Sequence, residues 1–161
     1  MKSLPSAGAA ALAILLASVP AIAAGDHSGH GPAESFSTGQ PGDGKKPARI
    51  VQVTMTEADG KMLFLPSRIE ARKDEQIKFI LRDSGELDHE FVLGTRDENL
   101  RHAESMKKNL DMEHDDPNAK KLAPNKTGEI IWKFTKSGEF EYACLIPGHR
   151  EAGMIGTVVV K

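Results

Sequence analysis

Residues 142–154 read Tyr142-Ala143-Cys144-Leu145-Ile146-Pro147-Gly148-His149-Arg150-Glu151-Ala152-Gly153-Met154. Just before and into this stretch, Phe140, Tyr142 and Cys144 alternate with Glu139, Glu141 and Ala143. That period of two is the mark of a strand with one buried face. After it, Thr157 to Val160 is a β-branched run that reads as another strand. Cys144, His149 and Met154 therefore sit at Cys-x4-His-x4-Met spacing on one loop between two strands. Such a loop returns on itself and can point three side chains at one centre. Gly148 and Gly153 free the backbone just before two of them, and Pro147 restricts it.

Outward from this loop the same alternation recurs. Val51, Val53 and Met55 form one set, and Ile77, Phe79 and Leu81 a second. His89, Phe91 and Leu93 share a face of a third, and Ile130, Trp132 and Phe134 form a fourth. Gly, Pro and Asp punctuate the intervals. The pattern predicts an all-β fold, an antiparallel sandwich or barrel. One segment departs from it. Glu98 to Leu110 carries apolar residues at helical spacing without Pro or Gly, so one inserted helix is expected, leading into a polar loop over 111–118.

The N-terminus reads differently. Lys2, an apolar run from Ala9 to Val19 and the small-x-small triplet Ala21-Ile22-Ala23 predict a secretory signal peptide over residues 1–23. Residues 25–48 hold six glycines, three prolines and one Phe. That composition predicts a flexible, His-containing tail over residues 24–48, with the folded domain running over 49–161. No second long apolar stretch follows, so no membrane span is expected after cleavage. The net charge of −2 offers no basic field for nucleic acid.

The chain has a single cysteine. An internal disulfide and a Cys-rich zinc site are both excluded. A lone thiol in an oxidising compartment is exposed to oxidation, and a bound metal would protect it. Thiolate and thioether are soft donors and imidazole is intermediate. Two His and one Cys with a distant Met suit a copper ion that cycles between +1 and +2, whereas calcium or magnesium would need oxygen donors. The loop supplies one His. His89 is the second candidate, because it opens a strand and shares its face with Phe91 and Leu93. Each residue also has a plainer reading: Cys144 as a core residue, Met154 as packing, His89 as a hydrogen-bonded edge group. It is the joint spacing that favours a metal. A Cys/His protease is the other alternative, but His149 is close to Cys144 in sequence and no orienting residue stands out.

The segment Cys144-Leu-Ile-Pro-Gly-His149-x4-Met154, with Asp88-His89-Glu90-Phe91 upstream, resembles the cupredoxin (plastocyanin/azurin-like) family over residues 49–161. The resemblance implies a Greek-key β-sandwich, with His89, Cys144 and His149 as equatorial copper ligands and Met154 as the axial one. The multicopper-oxidase pattern, with His on both sides of the Cys, is absent: Ala143 and Leu145 flank Cys144. An axial Met leaves no open coordination position, so an enzyme is not expected. Met106, Met112 and His114 near the helix, and His27 and His30 in the tail, are further candidate copper donors; helix packing and a solvated tail are the plainer readings. With these extras the chain is similar to periplasmic copper-tolerance cupredoxins. Copper handling in the periplasm is the expected role, and a soluble electron carrier serving a partner such as a cytochrome is the alternative.

Overall fold

The computed structural model describes residues 36–108 and 116–161. Ten strands and one helix follow in the order β1 (Gln40–Pro41), β2 (Arg49–Ala58), β3 (Lys61–Leu65), β4 (Arg68–Ala71), β5 (Gln76–Asp83), β6 (His89–Gly94), α1 (Arg96–Lys108), β7 (Ala119–Leu122), β8 (Thr127–Lys133), β9 (Gly138–Ala143) and β10 (Ile155–Val160). They form two five-stranded sheets, ordered β1-β8-β5-β2-β3 and β4-β10-β9-β6-β7. The fold is a Greek-key β-sandwich with one inserted helix. Among the described residues no helix is long and apolar enough to cross a membrane.

The alternating apolar residues of β2, β5, β6, β8, β9 and β10 meet between the sheets, where Val53, Phe79, Phe91, Trp132, Tyr142 and Val158 are fully buried. Phe91 and Tyr142 stack with ring centres 5.0 Å apart, and Phe64 of β3 meets both rings edge-on. Offset and edge-to-face contacts of this kind stabilise beyond simple burial. Tyr142 also donates its hydroxyl to the carbonyl of Pro66 at 2.6 Å. Its ring lies over Gly156, its register partner on β10, where a Cβ would come within 2.1 Å of the ring. Only glycine fits there.

Three expectations are corrected. First, the sandwich is mixed: β2 pairs with β5 and β4 with β10 in parallel. Period-two alternation reports which face is buried, not strand direction. The chain passes from β3 in one sheet to β4 in the other and back to β5, and this crossover lays β5 parallel to β2. Second, residues 36–48 are folded against the sheet. Phe36 packs edge-on against Trp132 with centres 5.2 Å apart, and β1 pairs with β8. Gly39 lets the backbone pass beside Lys133, whose carbonyl oxygen a Cβ would meet at 2.1 Å. The glycine that suggested flexibility permits close approach instead. Residues 1–35, with the expected signal peptide, lie outside the described residues. Third, α1 begins at Arg96, two residues earlier than expected. Thr95 and Glu98 form a capping box: the Thr95 hydroxyl accepts from the Glu98 N–H at 3.3 Å, and the Glu98 carboxylate accepts from the Thr95 N–H at 2.8 Å.

All six residues of β6 are buried. Its inner face joins the core. Its outer face is covered by α1, where Ala103 packs with Val92, Ala143 and Leu145. The helix therefore shields the sheet directly behind the strand ends that carry His89 and Cys144.

Candidate metal centre

Strand β6 lies beside β9 in antiparallel register, with Val92 opposite Ala143. The start of one strand and the end of the other are therefore adjacent, and His89 is carried to the place where Cys144 leaves β9. The loop from 144 to 154 then closes on itself. The Cys144 N–H donates to the Met154 carbonyl at 3.2 Å, and the Met154 N–H to the His149 carbonyl at 3.1 Å. Turn bonds run from His149 N–H to Ile146 C=O and from Ala152 N–H to Gly148 C=O, both 3.0 Å. Gly148 and Gly153 take φ of 92° and 103°. These left-handed conformations, available cheaply to glycine, reverse the chain before His149 and before Met154.

The result is a cluster of donors. One ligand atom each from His89, Cys144 and His149 lies within 4.8 Å of the others. His89 Nδ1 and His149 Nδ1 are 3.2 Å apart, and Cys144 Sγ is 3.3 Å from His149 Nδ1. His89, Cys144 and Met154 are fully buried, and His149 keeps 9% of its surface exposed. Met154 shares the core cluster with Cys144, and its backbone is bonded to both loop donors. Two nitrogens and one sulfur that turn lone pairs on one buried point need a cation or protons between them. The mix of soft sulfur and imidazole nitrogen is the donor set that copper prefers.

Protonation fits the same picture. Burial pushes the Cys144 thiol up to about 12, so a metal must displace a proton to engage the thiolate. Burial, and then the neighbouring His89 ring, lower the His149 pKa. A neutral imidazole is the form that can ligate.

Five groups that the sequence pattern did not single out hold the donors in place. Glu57 of β2 accepts from His89 Nε2 at 3.0 Å, which leaves His89 Nδ1 facing the cluster. Its two oxygens also accept the Glu86 and Leu87 N–H groups, each at 3.0 Å. Glu90 donates its N–H to Cys144 Sγ at 3.4 Å, and its buried carboxylate accepts the Leu145 N–H at 2.9 Å. From within the loop, Arg150 donates to Glu141 at 2.8 Å, and the buried Asn99 of α1 donates to the same carboxylate at 3.2 Å. These partners lie up to 55 residues from what they hold, so local spacing gives no sign of them. Glu90 had one legible signal, since it directly follows His89.

Of the extra candidates, only Met106 falls among the described residues. Met106 is buried on the face of α1 that also carries Asn99 and Ala103. Met112, His114, His27 and His30 lie outside the described residues.

Residues 51–161 match the family of copper binding proteins, plastocyanin/azurin family. The chain belongs to this family. Copper is accordingly the metal of this plastocyanin/azurin-type domain, and the His-Cys-His cluster is its candidate site. Similar relatives include the copper-resistant cuproprotein CopI of Rubrivivax gelatinosus, 48% identical over 123 residues that cover 76% of this chain and 73% of that protein. The CopI of Pseudomonas aeruginosa is 32% identical, covering 81% and 86%. Among solved structures, auracyanin B superposes with a TM-score of 0.63 at 23% identity, covering 80% of this chain and 98% of that one. The likeness to auracyanin supports the plastocyanin/azurin-type fold.

Proposed function

We propose that the chain is an exported, periplasmic copper protein that contributes to copper tolerance, holding one ion at a type 1-like centre formed by His89, Cys144, His149 and Met154. The observation that carries this reading is the convergence of His89 Nδ1, Cys144 Sγ and His149 Nδ1 at one buried point. The tolerance role is supported by the likeness to CopI proteins named for copper resistance. Export is supported by the expected signal peptide.

Each residue has a definable part. Cys144 gives up its proton and supplies a thiolate, with the Glu90 N–H donating to the sulfur. His89 and His149 offer ring nitrogens, one fixed by Glu57 and the other by the closed loop. Met154 supplies a thioether from the end of the same loop, and burial of three of the four donors excludes water. When bound, copper supplies a one-electron couple between +1 and +2.

The test is a visible spectrum on adding Cu(II), with copper counted per chain. Wild type should develop an intense thiolate-to-copper band at one ion per chain, and a deletion strain should lose copper tolerance. A colourless wild type sinks the centre. Unchanged tolerance in the deletion strain sinks the role.

One observation favours electron transfer as a second reading. His149 is the only one of the four donors with exposed surface, beside exposed Pro147 and Gly148. Rapid exchange with a small periplasmic cytochrome would support it, and slow exchange would count against it.

A further inference from the structure

Glu57 stands apart from the other groups around the centre. It comes from β2, in the sheet opposite β6, and reaches His89 across 32 residues of sequence. Its carboxylate is fixed on three sides. Oε1 accepts from both His89 Nε2 and the Leu87 N–H, while Oε2 accepts from the Glu86 N–H. Gly85 packs tightly against it: a Cβ there would come within 2.2 Å of Oε2. Two backbone N–H groups and the His89 ring all donate to this carboxylate, and hydrogen bonds of that kind favour its ionised form. Glu57 is therefore held as an anion by its donors and pinned by the backbone.

A carboxylate on the far nitrogen of a ligating imidazole does two things. It fixes the tautomer, so Nε2 carries the proton and Nδ1 the free lone pair. It also makes the ring a stronger donor, because a hydrogen bond to an ionised acceptor is about twice as strong as a neutral one. Negative charge near the metal stabilises the oxidised ion more than the reduced one, since the attraction scales with the metal's charge.

We propose that Glu57 is a positioning residue that orients His89 for copper and biases the bound ion toward the +2 state. This rests on the reading that His89, Cys144 and His149 bind copper. The bias is built from backbone amides, a close glycine and one carboxylate, and needs no change in the ligands.

The test uses the full chain loaded with copper: the reduction potential of wild type, Glu57→Gln and Gly85→Ala. Gln keeps an oxygen for His89 and Leu87 but loses the charge. Gly85→Ala keeps the charge and pushes the carboxylate away. Loss of such a partner typically costs 10–100-fold in metal affinity. The expected result in Glu57→Gln is about a tenfold fall in Cu(II) affinity relative to Cu(I), a rise in potential of ~59 mV for one electron. Gly85→Ala should shift the same way by less, and both variants should keep the thiolate band. In reduced wild type, NMR should show a slowly exchanging, downfield His89 Nε2 proton, a measurement that needs no variant to fold. An unchanged potential in Glu57→Gln with the band intact overturns the proposal, as does absence of that proton signal. A wild type that takes up copper without a thiolate band instead overturns the copper-site reading itself.

Discussion

The donors of this centre arrive by two routes. Cys144, His149 and Met154 come from one loop that folds back on itself through its own backbone, with Cys144 N–H bonded to Met154 C=O. His89 comes from a different strand and is oriented by Glu57 from the opposite sheet. A closed loop carries its geometry in its local sequence. A strand-borne ligand owes its geometry to the whole sandwich. The loop route gives spacing, and the strand route gives control over the ring that faces the donor cluster.

The sharpest way to break the comparison is at the loop. Cys144→Ser should abolish the thiolate-to-copper band completely, because an alkoxide is a hard and far weaker partner for copper than a thiolate. The apo protein should still fold, with strand content by circular dichroism unchanged. A variant that keeps the band would show that the colour does not come from this sulfur.

Loop geometry also depends on side-chain contacts beyond the loop's own backbone. Arg150, next to His149, bonds Glu141, and Asn99 ties the same carboxylate to α1. Arg150→Ala should cost roughly 2 kcal/mol of apo stability, the scale of a hydrogen bond to a charged group, with allowance for partial exposure of the pair. Thermal or urea unfolding measures this. A loss of only a few tenths would mean the loop stands without its anchor.

A third comparison is by pH, and it reads the loop side. The Cys144 thiol, pushed up to about 12 by burial, is protonated at neutral pH. Copper must displace that proton, so affinity should rise about tenfold per pH unit, ~1.4 kcal/mol, across the neutral range. His149 is held below its ordinary value of 6.5. Its proton should steepen the dependence only below that value, where copper then displaces two protons. Competition with a chelator of known pH behaviour measures the slope. A flat profile would mean the thiol is already ionised without metal.

The smallest effect expected is at the helix. Thr95→Ala removes half of the capping box and should cost ~1 kcal/mol in stability. The copper band should not move, because α1 acts behind the strands and not on the metal. A shifted band would mean the cap reaches the centre.

What the sequence made legible follows the same division. The core faces of β2, β5 and β8 were readable because each strand has one buried and one wetter face, and that of β9 because its aromatic residues alternate with glutamates, although Glu141 and Ala143 are buried as well. Strand β6 was only half readable: its Phe91 and Leu93 alternate, but Glu90 and Val92 are buried too, under α1 and the loop. Strands β1, β3, β4 and β7 were missed: Gln40–Pro41, Arg68–Ala71 and Ala119–Leu122 are too short to show a period, and Lys61–Leu65 holds an unbroken apolar run without alternation. The start of α1 has a local signal in Thr95-x-x-Glu98, the pattern of a capping box, which apolar spacing alone does not report. The loop donors needed only spacing and chemistry. Glu57 had no local signal, because its role exists only once two sheets face each other.

The chain contains one tryptophan, and it is fully buried. Trp132 meets Phe36 on one side and shares β8 with the pairing partners of β1. Its fluorescence therefore watches one place, the seam where residues 36–41 lie on the sandwich. Emission should be blue-shifted in the native protein. If that N-terminal strap peels away first, the emission will redden before circular dichroism records the loss of the sheets.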